Sequence, residues 1–256
     1  MFSTERRRLI RQIVQERRRL TFVELQALVP PCSAATLRRD LEELERAGAL
    51  IRTHGGMLDP ALVRAEPSFD ERVGRDRVAK KLIAEAAARL VPPGASVFVD
   101  AGSTCLEAGR LLAARGDVRI VTHSAALVGA ALHGQAGLLC IGGELRKVSG
   151  AFTGGATLGA LKQLRVEVAL VGASGLHRTE GAWTTELSEA EIKRTAIARA
   201  GRTILLADVS KWEKPSTVHF ADWEACDDWV TDLPPAPSDT GRLAAVGTKI
   251  HDARAK

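Results

Sequence analysis

Long apolar runs are missing from this 256-residue chain, and with them the roughly 18 consecutive apolar residues of a membrane-spanning helix. The opening, Met1-Phe2-Ser3-Thr4-Glu5-Arg6-Arg7-Arg8, has charge but no apolar stretch behind it, so a secretory leader is not expected. Glu5 and Glu16 inside this arginine-rich stretch argue against a transit peptide. Cysteine is scarce and scattered. Cys32, Cys105, Cys140 and Cys226 form no Cys-x-x-Cys pair and have no companion histidines, which excludes a recognisable zinc module or disulfide framework. These absences lead us to expect a reduced, cytoplasmic setting, no membrane, no metal and no cofactor. No internal repeat is visible. Lysine is absent from residues 1–58, where 11 arginines face 7 acidic residues, a net of +4. The remainder holds 25 basic and 24 acidic residues, a net of +1. A small basic head on a near-neutral body suggests a phosphate-binding module joined to something else, although a solvated charged face would have the same composition.

What is present is the material of folded domains, 45% hydrophobic and 26% charged, in a length that suits two of them. In the first segment, Leu9, Ile10, Ile13 and Val14 recur at helical spacing over residues 5–17. Thr21 can cap a short second helix carrying Val23, Leu25 and Leu28, which Pro30-Pro31 ends. Ser33 is a good N-cap for a third helix, from Ala34 to about Ala47, and Gly48 a natural stop. Residues 50–57 read as a strand, a Gly55-Gly56 turn and a returning strand. Three helices and a hairpin make a winged helix over residues 1–57. A linker is expected over residues 58–75.

From Val78 onward short apolar runs (97–99, 118–121, 138–141, 168–171, 204–206 and 229–230) alternate with helical stretches (78–90, 104–115, 124–133, 156–163 and 188–200). That alternation implies right-handed crossovers and a mainly parallel sheet covered on both faces, an α/β domain over residues 76–256. A last helix and a strand near 248–250 follow the proline-rich stretch 234–237.

Two constellations carry chemistry. In the third helix Leu37, Leu41 and Leu44 share one face, so Thr36 and Arg39 point away from it, with Arg38 beside them. Short polar and basic side chains in the first turns of such a helix are what a major groove requires, with Ser33 at its N-terminus and a basic wing, Arg52 and His54, following. Pairing of Arg38 and Arg39 with Asp40, Glu42 or Glu43 is the competing reading. In the second domain, Val97-Phe98-Val99-Asp100 runs into Ala101-Gly102-Ser103-Thr104 and a helix. A strand followed by glycine, hydroxyls and a helix N-terminus can cradle a phosphate, and can equally be a plain capped turn. Further strand ends carry Thr122-His123-Ser124, Gly142-Gly143 and Gly172-Ala173-Ser174-Gly175, which an open sheet should bring together at its carboxyl edge.

The series Ser33-x-x-Thr36-x-Arg38-Arg39-Asp40-Leu41, then Glu45, Gly48 and Arg52-Thr53-His54-Gly55-Gly56, closely resembles the DNA-binding domain of the DeoR family of sugar-metabolism repressors. The likeness runs through Glu66-Pro67-Ser68-Phe69 to about Asp232. It implies operator contacts from Ser33, Thr36, Arg38, Arg39, Arg52, His54 and Gly55, and an effector domain similar in fold to sugar-phosphate isomerases. It assigns Gly102, Ser103 and Thr104 to phosphate binding and makes Asp100, Ser124, Gly143, Glu189, Lys193 and Lys211 candidates around a sugar. Glu189 and Lys193, four apart on a helix, also suit a plain surface ion pair, and Lys211 a solvated loop. Pro30-Pro31-Cys32 departs from the family's small turn before the recognition helix. His123 stands where the family commonly has asparagine, and Ser174 where it commonly has aspartate. The resemblance implies a homo-oligomeric (dimeric or tetrameric) repressor of a sugar operon, bound to double-stranded DNA and relieved by a phosphorylated sugar, with no catalytic residue. The alternatives are a sugar-phosphate isomerase-like enzyme and a DNA-binding protein whose α/β domain only oligomerises.

Overall fold

A computed structural model describes residues 3–17, 19–53, 56–58, 67–214 and 216–255. The chain divides into two compact units, Met1–Glu66 and Pro67–Lys256.

The first unit comprises α1 (Ser3–Arg17), β1 (Arg19–Thr21), α2 (Phe22–Leu28), α3 (Ala34–Arg46), β2 (Ile51–Thr53) and β3 (Gly56–Leu58). Its helices close on one core of Ile10, Val14, Leu25, Leu37, Leu41 and Leu44, joined by Leu50, just before β2, and Met57 of β3. Local chemistry sets the boundaries. Thr21 and Glu24 form a reciprocal capping box at the start of α2. The Ser33 hydroxyl accepts the Thr36 N–H at the start of α3. Gly48, at φ +67°, turns the chain out of that helix. The hairpin is β2 against β3, and β1 adds a third antiparallel strand on the other side of β3, a pairing that three residues of sequence do not announce.

The second unit begins with α4 (Phe69–Gly74) and α5 (Arg77–Leu90), then β4 (Ser96–Val99), α6 (Ser103–Ala113), β5 (Arg119–Thr122), α7 (Ala125–Ala131) and β6 (Gly137–Cys140). A hairpin, β7 (Glu144–Arg146) and β8 (Ala151–Thr153), leads to α8 (Gly154–Lys162) and β9 (Val166–Gly172). Next come β10 (Gly175–His177), β11 (Gly181–Thr184), α9 (Leu187–Ala198) and β12 (Ala200–Leu206). The chain ends with β13 (Val218–Ala221), β14 (Asp228–Thr231), α10 (Pro237–Ala245) and β15 (Lys249–Asp252).

Seven strands form a parallel sheet in the order β15-β14-β12-β9-β4-β5-β6. The period of two is explicit along them. Val97, Val99, Val168, Leu170, Ile204, Leu206 and Val230 face one core with α5, α6 and α7. Phe98, Ala169, Val171, Leu205 and Trp229 face the other, with α8, α9, α10 and a small antiparallel sheet of β10, β11 and β13. After β4 the chain builds outward through β5 and β6; it then returns to β9 on the other side of β4 and proceeds to β12, β14 and β15. The winding direction reverses between β4 and β9, and the carboxyl ends flanking such a switch point are where an open sheet takes its ligands.

The expected linker over residues 58–75 differs from the structure in its second half. Pro67 onward belongs to the second unit, where α4 starts at a capping box made by Ser68 and Glu71. Phe69 and Val73 pack against the core of that unit. A Ser-x-x-Glu pattern and one well-placed aromatic ring fix the start of the second unit here.

Candidate functional sites

On the first unit, α3 presents its polar face as its sequence implies. The carboxylates that could have neutralised Arg38 and Arg39 are engaged elsewhere. Asp40, 5% exposed, receives Arg6 at 2.5 Å and Arg7 at 3.5 Å from α1. Glu43 receives Arg46 and Arg7, and Glu42 lies 3.6 Å from Arg52. Arg38 lies over the Phe22 ring, 5.5 Å from its centroid. Arg39 is exposed, with no ion pair or hydrogen bond among the described residues. The Thr36 hydroxyl bonds that of Ser33 at 2.8 Å, so these two serve first to shape the helix start. The Arg52 backbone N–H donates to Glu45 at 3.2 Å and ties the wing strand to α3. His54 and Gly55 lie outside the described residues.

On the second unit the switch point between β4 and β9 is built around Asp100. This residue follows β4, is 2% exposed, and takes its backbone position from an N–H···O bond to Leu170 of β9. Its Oδ2 accepts the Gly172 N–H at 3.0 Å and the Lys193 ammonium, which also donates to the Gly172 carbonyl at 3.0 Å. Lys193, likewise buried, rests over the Phe220 ring. Burial alone would push the Asp100 carboxyl up, but the Lys193 ammonium and the hydrogen bond and charge of His123 hold it well below the usual carboxylate range. Burial alone would lower the Lys193 ammonium; the charges of Asp100 and Glu189 outweigh this, and the net shift is upward.

His123, 1% exposed at the end of β5, stacks on Phe98 and lies between two oxygens. Its Nδ1 donates to the Phe152 carbonyl at 2.9 Å. Its Nε2 accepts the Ala101 N–H at 3.3 Å in the neutral ring, or donates to Asp100 Oδ1 at 3.1 Å when protonated. Glu189 does not pair with Lys193 as a helix-surface couple. It receives Arg146 of β7 at 3.2 Å, while Lys193 is spent on Asp100. A Cβ on Gly143, at φ +157°, would collide with the Thr157 hydroxyl, so the turn into β7 requires glycine.

At the lip of this cluster α6 begins with Gly102 as its N-cap. The Ser103 and Thr104 hydroxyls have no hydrogen-bond partner among the described residues, and the first N–H groups of a helix are free by construction. The arrangement offers several donors, and the positive end of a helix, beside a buried lysine. Ser124 lies nearby but is fully buried, and its hydroxyl caps α7 through the Leu127 N–H. The Lys211 ammonium has no hydrogen bond or ion pair among the described residues. It stands close enough to Lys80 for the two ammoniums to oppose each other, with Asp208 beside them. Two participants, His123 and Arg146, are not among the expected contact residues. His123 is visible in the sequence as part of the Thr122-His123-Ser124 strand end and as a departure from the family's asparagine, and Arg146 carries no signal there, being one arginine in an unremarkable loop.

Among the described residues no group of three His, Cys, Asp or Glu side chains could hold a metal ion, and no helix is long and apolar enough to cross a membrane.

Comparison with known proteins matches residues 6–59 to the DeoR-like helix-turn-helix domain and residues 75–233 to the DeoR C-terminal sensor domain. The chain is 33% identical, over 86% of its length and 88% of the relative's, to an uncharacterised helix-turn-helix regulator of Bacillus subtilis, FruR. It is 28% identical to the glycerol-3-phosphate regulon repressor of Escherichia coli, covering 93% of this chain and 94% of that one. Among solved structures, ribose 5-phosphate isomerase A of Methanocaldococcus jannaschii aligns at 19% identity and a TM-score of 0.40, over 54% of this chain and 55% of that one.

Proposed function

The chain belongs to the DeoR family of DNA-binding transcriptional regulators, and from that premise we propose that it represses a sugar-metabolism operon and is released from its operator by a phosphorylated sugar. The observation that carries the effector half is the set of unpaired donors at the start of α6, Ser103 and Thr104, at the switch point beside Asp100 and Lys193. A dianionic phosphate suits helix N–H groups and two hydroxyls far better than a neutral sugar does. In this reading Glu189, Lys193 and Asp100 are the groups that meet the sugar hydroxyls. The observation that carries the DNA half is the unneutralised Arg39 on the polar face of α3, with Arg38 beside it. Thermal unfolding of the full chain against a panel of sugar phosphates tests the effector assignment. One or more should raise Tm in proportion to the logarithm of its concentration, while the parent neutral sugars should not. A panel without any stabilising phosphate would contradict it.

An enzymatic reading fits less well. Aldose–ketose exchange needs a carboxylate free to take a proton from carbon. Asp100 Oδ2 is engaged by the Gly172 N–H and the Lys193 ammonium, and its carboxyl is held well below the usual range, which makes it a poor base. Glu189 is committed to Arg146, and Ser174 occupies the position where the family commonly has an acid. Turnover near the ordinary enzyme range of about 1–10³ per second on any sugar phosphate would reverse this conclusion. A homo-oligomer acting in the cytoplasm fits a repressor that reads two half-sites, and its mass in solution measures that directly.

A further inference from the structure

The hairpin β7–β8 touches three separate parts of the second unit. Its first strand is held to α9 by the Arg146–Glu189 pair, one helical turn from Lys193. Its second strand lies along the sensing loop: Phe152 donates its N–H to the His123 carbonyl at 2.8 Å and accepts from His123 Nδ1, and Gly150 accepts the Ala125 N–H at 3.0 Å. Its tip holds the start of α4, because the Phe69 N–H donates to the Val148 carbonyl at 2.8 Å. The tip is a tight turn closed by the Arg146 carbonyl, which accepts from the N–H groups of Ser149 and Gly150, with Gly150 at φ +64°. Arg146 and Val148 are therefore two residues apart in one closed turn, and a displacement of the first carries the second with it. Phe69 stands three residues after Glu66, where the chain leaves the DNA-binding unit.

From this geometry we propose that the β7–β8 hairpin is the transmission element of the sensor. Arg146 is its positioning residue on the effector side, and the Val148–Phe69 hydrogen bond is its output to the start of α4. The inference rests on the effector site lying at Asp100, Ser103 and Lys193. A sugar phosphate entering there meets Glu189 and Arg146, competes for their ion pair, and moves the turn that holds Phe69. A bistable contact of this kind is what coupling between two sites requires.

The test needs no effector and so stands or falls separately from the effector assignment. Amide hydrogen exchange is measured on the full unliganded chain, wild type against Arg146→Ala, Glu189→Gln and Arg146→Lys. Arg110→Ala, which removes an exposed pair on α6, serves as the control. Opening either side of the Arg146–Glu189 pair should speed exchange in peptides covering residues 69–74 as well as 148–153 by about fivefold. At 1.4 kcal/mol per decade that is about 1 kcal/mol. Arg146→Lys should restore most of the protection and Arg110→Ala should change nothing. Faster exchange confined to the hairpin, with residues 69–74 unaffected, would overturn the transmission role. Unchanged exchange in both segments would overturn the latch itself.

Discussion

Replacing Asp100 with asparagine probes the heart of the sensing unit, and its cost can be worked from the contacts. Asparagine keeps the shape and can still accept the Gly172 N–H, but it leaves the Lys193 ammonium, 5% exposed, without its counter-charge. Glu189 cannot fully compensate, because it is shared with Arg146. Removing one partner of a buried ion pair costs about 3–5 kcal/mol. In a unit of this size each kcal/mol lowers Tm by about 2–4 °C, so a fall of about 6–20 °C is expected. All four tryptophans (Trp183, Trp212, Trp223 and Trp229) lie in the second unit, so urea unfolding followed by their emission reads that unit alone. The carboxyl of Asp100 is depressed in the folded state, so its stabilisation is complete above the unfolded value of about 3.9 and is lost as pH falls below it. Lys193 is raised, so its share is complete below about pH 10.4 and is lost only in stronger base. The Asp100–Lys193 part of the Asp100→Asn penalty should therefore be flat from about pH 5 to 9. Combining it with Lys193→Met removes both charges and should recover most of the loss. A single variant within about 1 kcal/mol of wild type at pH 7, or a double variant as unstable as the single, would refute this reasoning.

Three other outcomes are expected. Arg39→Ala should weaken specific operator binding by about 1–3 kcal/mol, whereas Arg52→Ala should weaken binding to all sequences and flatten the salt dependence, both read by DNA titration at several ionic strengths. Asp228 takes Arg202 through two bonds of 2.6 and 2.8 Å and His251 at 2.6 Å, stitching β12, β14 and β15. Asp228→Asn should cost about 2–3 kcal/mol in urea unfolding and expose β15 to limited proteolysis. Burial would raise the Asp228 carboxyl, but Arg202 and His251 hold it below the usual range, so this contribution too is present above about pH 3.9 and lost in acid. Gly143→Ala should lower the Tm of the sensing unit, because its Cβ collides with Thr157 and its φ suits only glycine.

Elements with a strong period are legible in the residues alone. Leu37, Leu41 and Leu44 mark the buried face of α3, and the six apolar runs are strands of the parallel sheet. The alternation of strands and helices also points to the site, since an open sheet leaves its carboxyl edge for ligands and Asp100-Ala101-Gly102-Ser103-Thr104 lies on that edge. What stays hidden depends on contacts distant in sequence. The β7–β8 hairpin and the sheet of β10, β11 and β13 consist of strands of three or four residues that take their conformation from their neighbours. Glu189 and Lys193 look like a surface couple along the chain. Folding sends one to Arg146, 43 residues away, and the other to Asp100, 93 residues away. Lys211 follows β12 at the same carboxyl edge, where its charge opposes that of Lys80, a neighbour that its sequence position does not announce.

The central claim, that a phosphorylated sugar on the α6 lip controls DNA binding, is tested most directly by an operator titration with and without the sugar phosphate found to raise Tm. The titration is run on wild type and on Gly102→Asp. A Cβ at Gly102 meets Asp100 Oδ2 at 3.7 Å and Cys105 Sγ at 3.8 Å, ordinary contacts, so the variant should fold while placing a carboxylate where the phosphate would bind. Wild type should lose operator affinity about 5–150-fold on adding the sugar phosphate, a coupling of about 1–3 kcal/mol, and Gly102→Asp should bind the operator equally well with or without it. A wild-type affinity that does not move, or a Gly102→Asp protein that still responds, would contradict the account.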